Sequence, residues 1–216
     1  MATHATAGIT RRLRAQRLRG IYLILNDGPQ MLELARAVVG TGVAILQYRA
    51  KEGVVPARVR ALREIAQRSN ALLVINDDWR AAVEFDCDGV HLGPEDDGFK
   101  NVASVRAALP EAVIGLSCGT LDEVYAAARA GADYLGVGSV FATPSKDDAG
   151  EPIGVARLGE LVRASSLPVA AVGGISATTL PEIVRIGAAM AAVISSVSSA
   201  PDPRRAAAEL VDAWNR

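Results

Sequence analysis

Short apolar runs alternate along the chain with amphipathic segments of helical period. The apolar runs predict eight strands, at 21–25, 44–48, 72–75, 89–92, 113–116, 134–137, 169–172 and 191–194. Each strand precedes a predicted helix, at 30–39, 56–69, 79–85, 102–109, 120–130, 155–164, 178–186 and 203–214. This repeat indicates an α/β fold, a single (β/α)8 TIM barrel, with a doubly wound open sheet as the structural alternative.

The repeat leaves no interdomain linker, so we predict one barrel domain over 20–216, preceded by a basic N-terminal arm over 1–19. The arm carries several arginines and lacks the apolar segment of a secretory signal. We expect a frayed arm or a short basic helix laid over one barrel end. The longest predicted loop, 142–153, is expected to close over a substrate.

Composition narrows the class of protein. The 216 residues carry a net charge of -1, which argues against a general nucleic-acid or membrane-surface binder. No apolar run is long enough to span a membrane. Cys87 and Cys118 have no CxxC partner, so they indicate thiols in a reducing cytosol rather than a disulfide or zinc site. We therefore predict a cytoplasmic protein that acts on small molecules. The sequence does not decide whether the protein is a monomer or a homo-oligomer.

Basic and hydroxyl side chains follow two of the strands. The loop after the sixth strand holds Thr143, Ser145 and Lys146, which can hydrogen-bond and neutralise phosphate. Around the end of the second strand, alternation places Gln47, Arg49 and Lys51 on one side of the chain. The active sites of barrels lie at this end of the strands, so the set predicts a polyanion site.

Acidic residues follow the third and fourth strands, in the segments 76–78 and 93–97. Carboxylates that leave adjacent strand ends can share one ion, and Mg2+ takes only one or two protein carboxylates besides water and substrate phosphate. Spacing alone does not choose between Asp77 and Asp78, or among Glu95, Asp96 and Asp97.

Three further strand ends carry candidate phosphate groups. Ser117 ends the fifth strand, Gly173 and Gly174 end the seventh, and Ile194 and Ser195 end the eighth. Paired glycines let backbone N–H groups approach an anion closely. His91 lies inside the fourth strand, where a hydrogen-bonded structural imidazole is the favoured interpretation over a catalytic one.

Several segments, in this order, resemble the thiamine-phosphate synthase family over residues 21–197. They are QYRAK at 47–51, IND at 75–77, GVHLGPED at 89–96, GLS at 115–117, DYLGVGSVFATPSK at 133–146, VGGI at 172–175 and VISSV at 193–197. The resemblance implies a transferase that condenses a hydroxymethylpyrimidine diphosphate with hydroxyethylthiazole phosphate, giving thiamine phosphate and pyrophosphate.

The resemblance also implies residue roles. Arg49, Lys51 and Lys146 would be the catalytic cations, and Asp77 and Asp96 the Mg2+ ligands. The pyrimidine diphosphate would be held by those cations with Gln47, Asn76 and Ser117. The thiazole phosphate would be held by Thr143, Ser145, Gly173, Gly174, Ile194 and Ser195.

Departures from the family pattern keep two alternatives in view. Pro94 and the pair Asp147 and Asp148 suit a non-catalytic regulatory relative that only binds thiazole phosphate or thiamine phosphate. A thiazole tautomerase would use a His where this chain has Gly119, so that alternative is disfavoured. A sugar-phosphate epimerase would not require the paired Asp residues with the cations.

Overall fold

The computed structural model describes residues 4–143 and 151–216, which form a closed barrel of parallel strands in sequence order. The strands are β1 Gly20–Asn26, β2 Ile45–Arg49, β3 Leu72–Asn76, β4 Gly89–Leu92, β5 Val113–Cys118, β6 Tyr134–Val137, β7 Val169–Val172 and β8 Met190–Val193. The helices are α1 His4–Ala15, α2 Met31–Ala37, α3 Pro56–Ser69, α4 Trp79–Glu84, α5 Val102–Ala108, α6 Leu121–Ala130, α7 Gly154–Ala164, α8 Leu180–Arg185, α9 Ser195–Ser198 and α10 Pro203–Trp214. A 3-10 turn spans Phe99–Asn101.

The predicted TIM barrel is confirmed, because β1 pairs with β8 and leaves no open edge. The open-sheet alternative is thereby wrong. Some strand ends were predicted too short. Arg49 lies inside β2 rather than after it, since it pairs with Asn26 of β1. Ser117 likewise lies inside β5.

The strands separate two apolar layers. Side chains that point inward form the barrel interior, with Tyr22, Ile24, Ile45, Leu72, Val74, Val113, Tyr134, Ala170, Met190 and Ala192. Alternate side chains point outward and pack under the helices in a larger cluster. Strands buried on both faces consist of nearly continuous apolar residues, so their positions can be predicted from the sequence.

The N-terminal helix α1 lies across the end of the barrel where the strands begin. Leu18, just after it, is buried in the interior cluster. Arg14 pairs with Asp88 at 2.9 Å, and Arg11 with Asp133 at 3.7 Å. Both carboxylates directly precede a strand. The basic residues of α1 thus face acidic positions at the end of the barrel opposite the strands' carboxyl ends.

Two further findings concern the helices and the thiols. In the described part of the chain, no helix combines the length and the apolar character needed to cross a bilayer. Cys87 and Cys118 are buried and unpaired, and burial raises the pKa of each thiol to about 12. At neutral pH both therefore stay protonated and unreactive.

Candidate active site

A cavity of about 430 Å³ opens at the carboxyl ends of the strands. Strands and loops on opposite sides of the barrel line it, so residues distant in sequence share one space. Most of the predicted substrate-binding residues that the structure describes line this cavity, namely Gln47, Asn76, Ser117, Thr143, Gly173, Gly174, Ile194 and Ser195.

Outside that lining, at neighbouring strand ends, lie the predicted cations Arg49 and Lys51 and the predicted metal ligands Asp77 and Asp96. Arg49 ends β2, is half-buried, and donates from Nη1 to Asn26 Oδ1 at 3.3 Å. Lys51 follows it in an exposed turn. Asp77 and Asp96 belong to the loops after β3 and β4, which are adjacent strands.

Two of the competing acidic residues, Asp78 and Asp97, have partners outside the predicted metal site. Asp78 caps α4, since its carboxylate accepts a hydrogen bond from the Ala81 N–H at 2.9 Å. Asp97 forms an exposed ion pair with Arg80 at 2.7 Å. These contacts account for Asp78 and Asp97. The choice of Asp77 and Asp96 as ligands of an ion stays a prediction that rests on the family resemblance.

The backbone of Asp77 is bonded to β4, the strand that leads to Asp96. Asp77 adopts a left-handed conformation with a φ of 67°, and its N–H donates to the His91 carbonyl at 2.8 Å. Asp96 folds back so that its carboxylate accepts the Gly93 N–H. Across residues 4–143 and 151–216, the structure contains no group of three or more His, Cys, Asp or Glu side chains that could hold a metal.

A chain of hydrogen bonds crosses the floor of the cavity. Gln47 Nε2 donates to the Tyr22 hydroxyl at 2.7 Å, and Tyr22 lies 2.9 Å from the Tyr134 hydroxyl. Tyr134 lies 3.2 Å from His91 Nδ1, and His91 Nε2 lies 3.1 Å from Ser117 Oγ. Five side chains from five strands are thus joined in series. We call this set the floor chain.

The amide of Gln47 sets the direction of the floor chain. Because Gln47 can only donate through Nε2, Tyr22 accepts there and its own proton is directed to Tyr134. Tyr134 then donates to His91 Nδ1, and the His91 Nε2–H donates to Ser117. In this arrangement each tyrosine proton has an acceptor, and His91 is the neutral Nε2–H tautomer.

Burial keeps the two tyrosines of the floor chain uncharged. It raises the pKa of Tyr22 and of Tyr134 well above the ordinary value of 10.0, so both phenols retain their protons. Both ring nitrogens of His91 lie near a partner, and His91 also lines the cavity, so its structural interpretation stays a prediction. The floor chain therefore orients Gln47 and Ser117 rather than supplying charge.

The sequence reasoning missed Tyr22 and Tyr134, both of which line the cavity. Each occupies an inward position of an otherwise apolar strand, and an aromatic residue there is more often only core. The available signal was the coincidence of polar aromatic, amide and imidazole groups at inward positions of neighbouring strands.

The opposite side of the cavity is made of tightly packed backbone. Gly173 has a φ of +99°, and a Cβ there would lie 2.1 Å from Ser139 Oγ. At Gly174 a Cβ would lie 2.6 Å from Phe141 Cβ. The Phe141 N–H donates to the Gly173 carbonyl at 3.1 Å, so the loops after β6 and β7 are joined. Only glycine permits this approach.

Two predicted residues, Ser145 and Lys146, lie outside the described residues, as do Asp147 and Asp148. Closure of the 142–153 loop accordingly stays a prediction. The described residues at its ends are attached to the barrel mouth: the Ile153 N–H donates to the Ser139 carbonyl at 2.8 Å.

The sequence matches the family model described as thiamine monophosphate synthase over residues 21–197. It is 43% identical over 197 residues to the bifunctional protein ThiM/ThiE of Symbiobacterium thermophilum, covering 89% of this chain and 40% of that protein. Identity to the thiamine-phosphate synthase of Roseiflexus castenholzii is 37% over 204 residues, covering 90% of this chain and 88% of that protein. The enzyme of the same name from Caldivirga maquilingensis is 37% identical over 203 residues, with 91% and 97% covered.

Solved structures give the same picture. Thiamine phosphate pyrophosphorylase from Pyrococcus furiosus superposes with a TM-score of 0.81 at 33% identity, covering 94% of this chain and 98% of that one. Orotidine 5'-phosphate decarboxylase from Pyrococcus horikoshii superposes with a TM-score of 0.71 at 15% identity, covering 91% and 99%. The second likeness shows the fold alone.

Proposed function

The chain belongs to the thiamine monophosphate synthase family, and on that premise we propose how its barrel mouth binds the two substrates. The protein is a transferase of thiamine biosynthesis that makes thiamine phosphate. In that reaction a hydroxymethylpyrimidine diphosphate and hydroxyethylthiazole phosphate give thiamine phosphate and pyrophosphate. The cavity that joins a polar floor to a glycine-rich wall is the observation that supports the assignment of residues.

The pyrimidine diphosphate is assigned to the side of the cavity formed by β2 to β5. Gln47, Asn76 and Ser117 line this side and supply hydrogen-bonding groups for the pyrimidine. Arg49 and Lys51, at the adjacent strand end, carry the positive charge that a diphosphate requires. Lys146 is assigned to the same group from the sequence pattern.

The thiazole phosphate is assigned to the opposite side. Gly173 and Gly174 hold the backbone close enough for N–H groups to meet an anion, and Thr143, Ile194 and Ser195 line the same wall. Ser145 is included from the sequence pattern. With the two anions at opposite sides, the thiazole nitrogen can face the pyrimidine carbon that bears the diphosphate.

The donor set fits Mg2+. Asp77 and Asp96 come from adjacent strand ends, and two carboxylates are the usual protein share of a Mg2+ shell that substrate phosphate completes. The family resemblance implies the same ion. When bound, the ion would stabilise the negative charge that develops on the departing diphosphate, which is worth on the order of several kcal/mol.

The chain's own residues then have three tasks. Arg49, Lys51 and Lys146 hold the diphosphate as its bond to the pyrimidine methylene carbon breaks. Gln47 and Ser117, oriented by the floor chain, keep the pyrimidine in place while the thiazole nitrogen forms the new bond to that carbon. The cavity walls exclude water, which would otherwise capture the same carbon. None of these steps needs a nucleophilic side chain.

The test uses two neighbouring carboxylates. Purified protein given both substrates and Mg2+ should release pyrophosphate, and Asp77→Asn should lower kcat by about a hundredfold or more. Asp78→Asn makes the same charge change one residue away and keeps a good helix cap, so its activity should stay near wild type. Equal activity in the two variants would overturn the metal assignment. Binding without turnover by the wild type would favour the regulatory alternative.

The division into an arm over 1–19 and a barrel over 20–216, the cytoplasmic location and a homo-oligomeric state are further proposals. The buried, unpaired Cys87 and Cys118 support a reducing compartment. Light scattering of the purified full chain would determine the oligomeric state.

A further inference from the structure

The loop between β2 and α3, residues 50–55, carries Lys51, two residues after Arg49; we call it the cation loop. Within it, the Gly53 N–H donates to the Ala50 carbonyl at 3.3 Å. Helix α3 begins after Val55, which makes no side-chain capping hydrogen bond. Contacts from β2 and from Asp27, the residue after β1, also reach this loop and the backbone of Arg49.

Tyr48 lies in β2, one residue before Arg49, and its hydroxyl makes two such contacts. Its ring faces outward from β2 and is 0% exposed beneath the helices. The hydroxyl donates to Asp27 Oδ1 at 2.7 Å and accepts the Val55 N–H at 3.4 Å. One phenol of β2 thus contacts both Asp27 and Val55, the last residue of the cation loop.

Asp27 extends the connection to β1 and to α3. Its N–H donates to the Arg49 carbonyl at 2.8 Å, and its second carboxylate oxygen pairs with Arg58 of α3. Partial burial pushes the pKa of Asp27 upward, but the hydrogen bonds from Tyr48 and Arg58 outweigh it and hold the pKa below its ordinary value. Asp27 is therefore a carboxylate at neutral pH.

We propose that Tyr48, Asp27 and Arg58 are positioning residues that hold Arg49 and Lys51 in place for the diphosphate. This inference rests on the proposed function, because it concerns the same diphosphate. None of the three lines the cavity. They act through the backbone of Arg49 and through the two ends of the cation loop.

The same helix provides a matched control. Arg63 of α3 pairs with Asp86 and donates to the Phe85 carbonyl at 2.9 Å, beside the following βα unit. This pair has the same chemistry as Asp27 with Arg58 but lies beside the α4–β4 connection rather than at the cation loop. Asp86 already has a φ of 48°, which asparagine tolerates.

The experiment compares Tyr48→Phe, Asp27→Asn and Asp86→Asn in the full chain. Titration calorimetry with pyrophosphate and Mg2+ gives a Kd without requiring turnover, and steady-state kinetics give KM for each substrate. Tyr48→Phe and Asp27→Asn should raise the pyrophosphate Kd and the KM for the pyrimidine diphosphate roughly three- to tenfold, with KM for the thiazole phosphate within about twofold. Asp86→Asn should leave all three within about twofold.

The outcomes separate the two proposals. An unchanged pyrophosphate Kd in Tyr48→Phe, which removes only a hydroxyl, overturns the positioning role while the proposed function stands. An equal rise in both KM values also overturns it, since that indicates general damage. Wild-type protein that binds pyrophosphate but does not turn over contradicts the proposed catalysis, and the Kd comparison still decides the positioning role. Wild-type protein that does neither contradicts both.

Discussion

Tyr134→Phe removes one hydroxyl from the middle of the floor chain and leaves the ring in place. The residue is 0% exposed, and its hydroxyl lies 2.9 Å from Tyr22 and 3.2 Å from His91 Nδ1. Two buried hydrogen bonds are lost at about 1 kcal/mol each, and the Tyr22 proton is left buried without an acceptor at a further cost of about 1–3 kcal/mol. Allowing for partial relaxation, we expect the free energy of unfolding to fall by about 2–4 kcal/mol.

Urea unfolding measures this directly. With a slope of about 2–3 kcal/mol/M, the midpoint should fall by about 1 M or slightly more. Tyr125→Phe is the matched control, because that ring is 47% exposed and its change should stay within about 0.5 kcal/mol. We also expect kcat/KM to fall, since Gln47 and Ser117 lose their fixed orientation. If Tyr134→Phe is no less stable than Tyr125→Phe, the proton order assigned to the floor chain is wrong.

Two further predictions concern the glycine wall and the Asp27 contacts. Gly173→Ala should lower the free energy of unfolding by about 2–4 kcal/mol, because it combines a positive φ with a Cβ that would press against Ser139. The control is Gly131→Ala, where φ is +91° and nothing lies within 4 Å of the added Cβ. In the same urea assay this control should lower the free energy of unfolding by only about 1 kcal/mol. Equal losses would show that the wall is not tightly packed. The pKa of Asp27 is held below its ordinary value of 3.8, so its stabilisation is complete above that value and is lost as pH falls through the folded-state pKa. The stability gap between wild type and Asp27→Asn should therefore be widest near neutral pH and shrink below about pH 4; a gap that stays constant from pH 7 to pH 3 would contradict this sign.

The strands show how much of the fold can be predicted from the sequence. A parallel strand covered on both faces needs a continuous apolar run, so each run marked a strand of the barrel. The ends were less certain, because pairing with a neighbour extends a strand beyond its apolar run, as with Arg49 beside Asn26. The short helix α9 follows the apolar run of β8 and has too few residues for a helical period to be visible.

The acidic loops show where local pattern is insufficient. The sequence pattern does not distinguish Asp77 from Asp78. In the structure a helix begins directly after Asp78, so that carboxylate is its cap. Asp97 is likewise distinguished by Arg80 across the loop. These contacts give Asp78 and Asp97 other partners, and the choice of Asp77 and Asp96 rests on the family resemblance.

The order of strands and helices, and the strand ends at which polar residues gather, follow from the sequence alone, because hydrophobic periodicity is a local property of the chain. Which of those polar groups touch was decided only by closure of the barrel. Tyr22 and Tyr134 are 112 positions apart in the chain, yet their hydroxyls share one hydrogen bond. Distances of that kind are set by how β1 and β6 are placed across a closed sheet, and no periodicity along the chain encodes them.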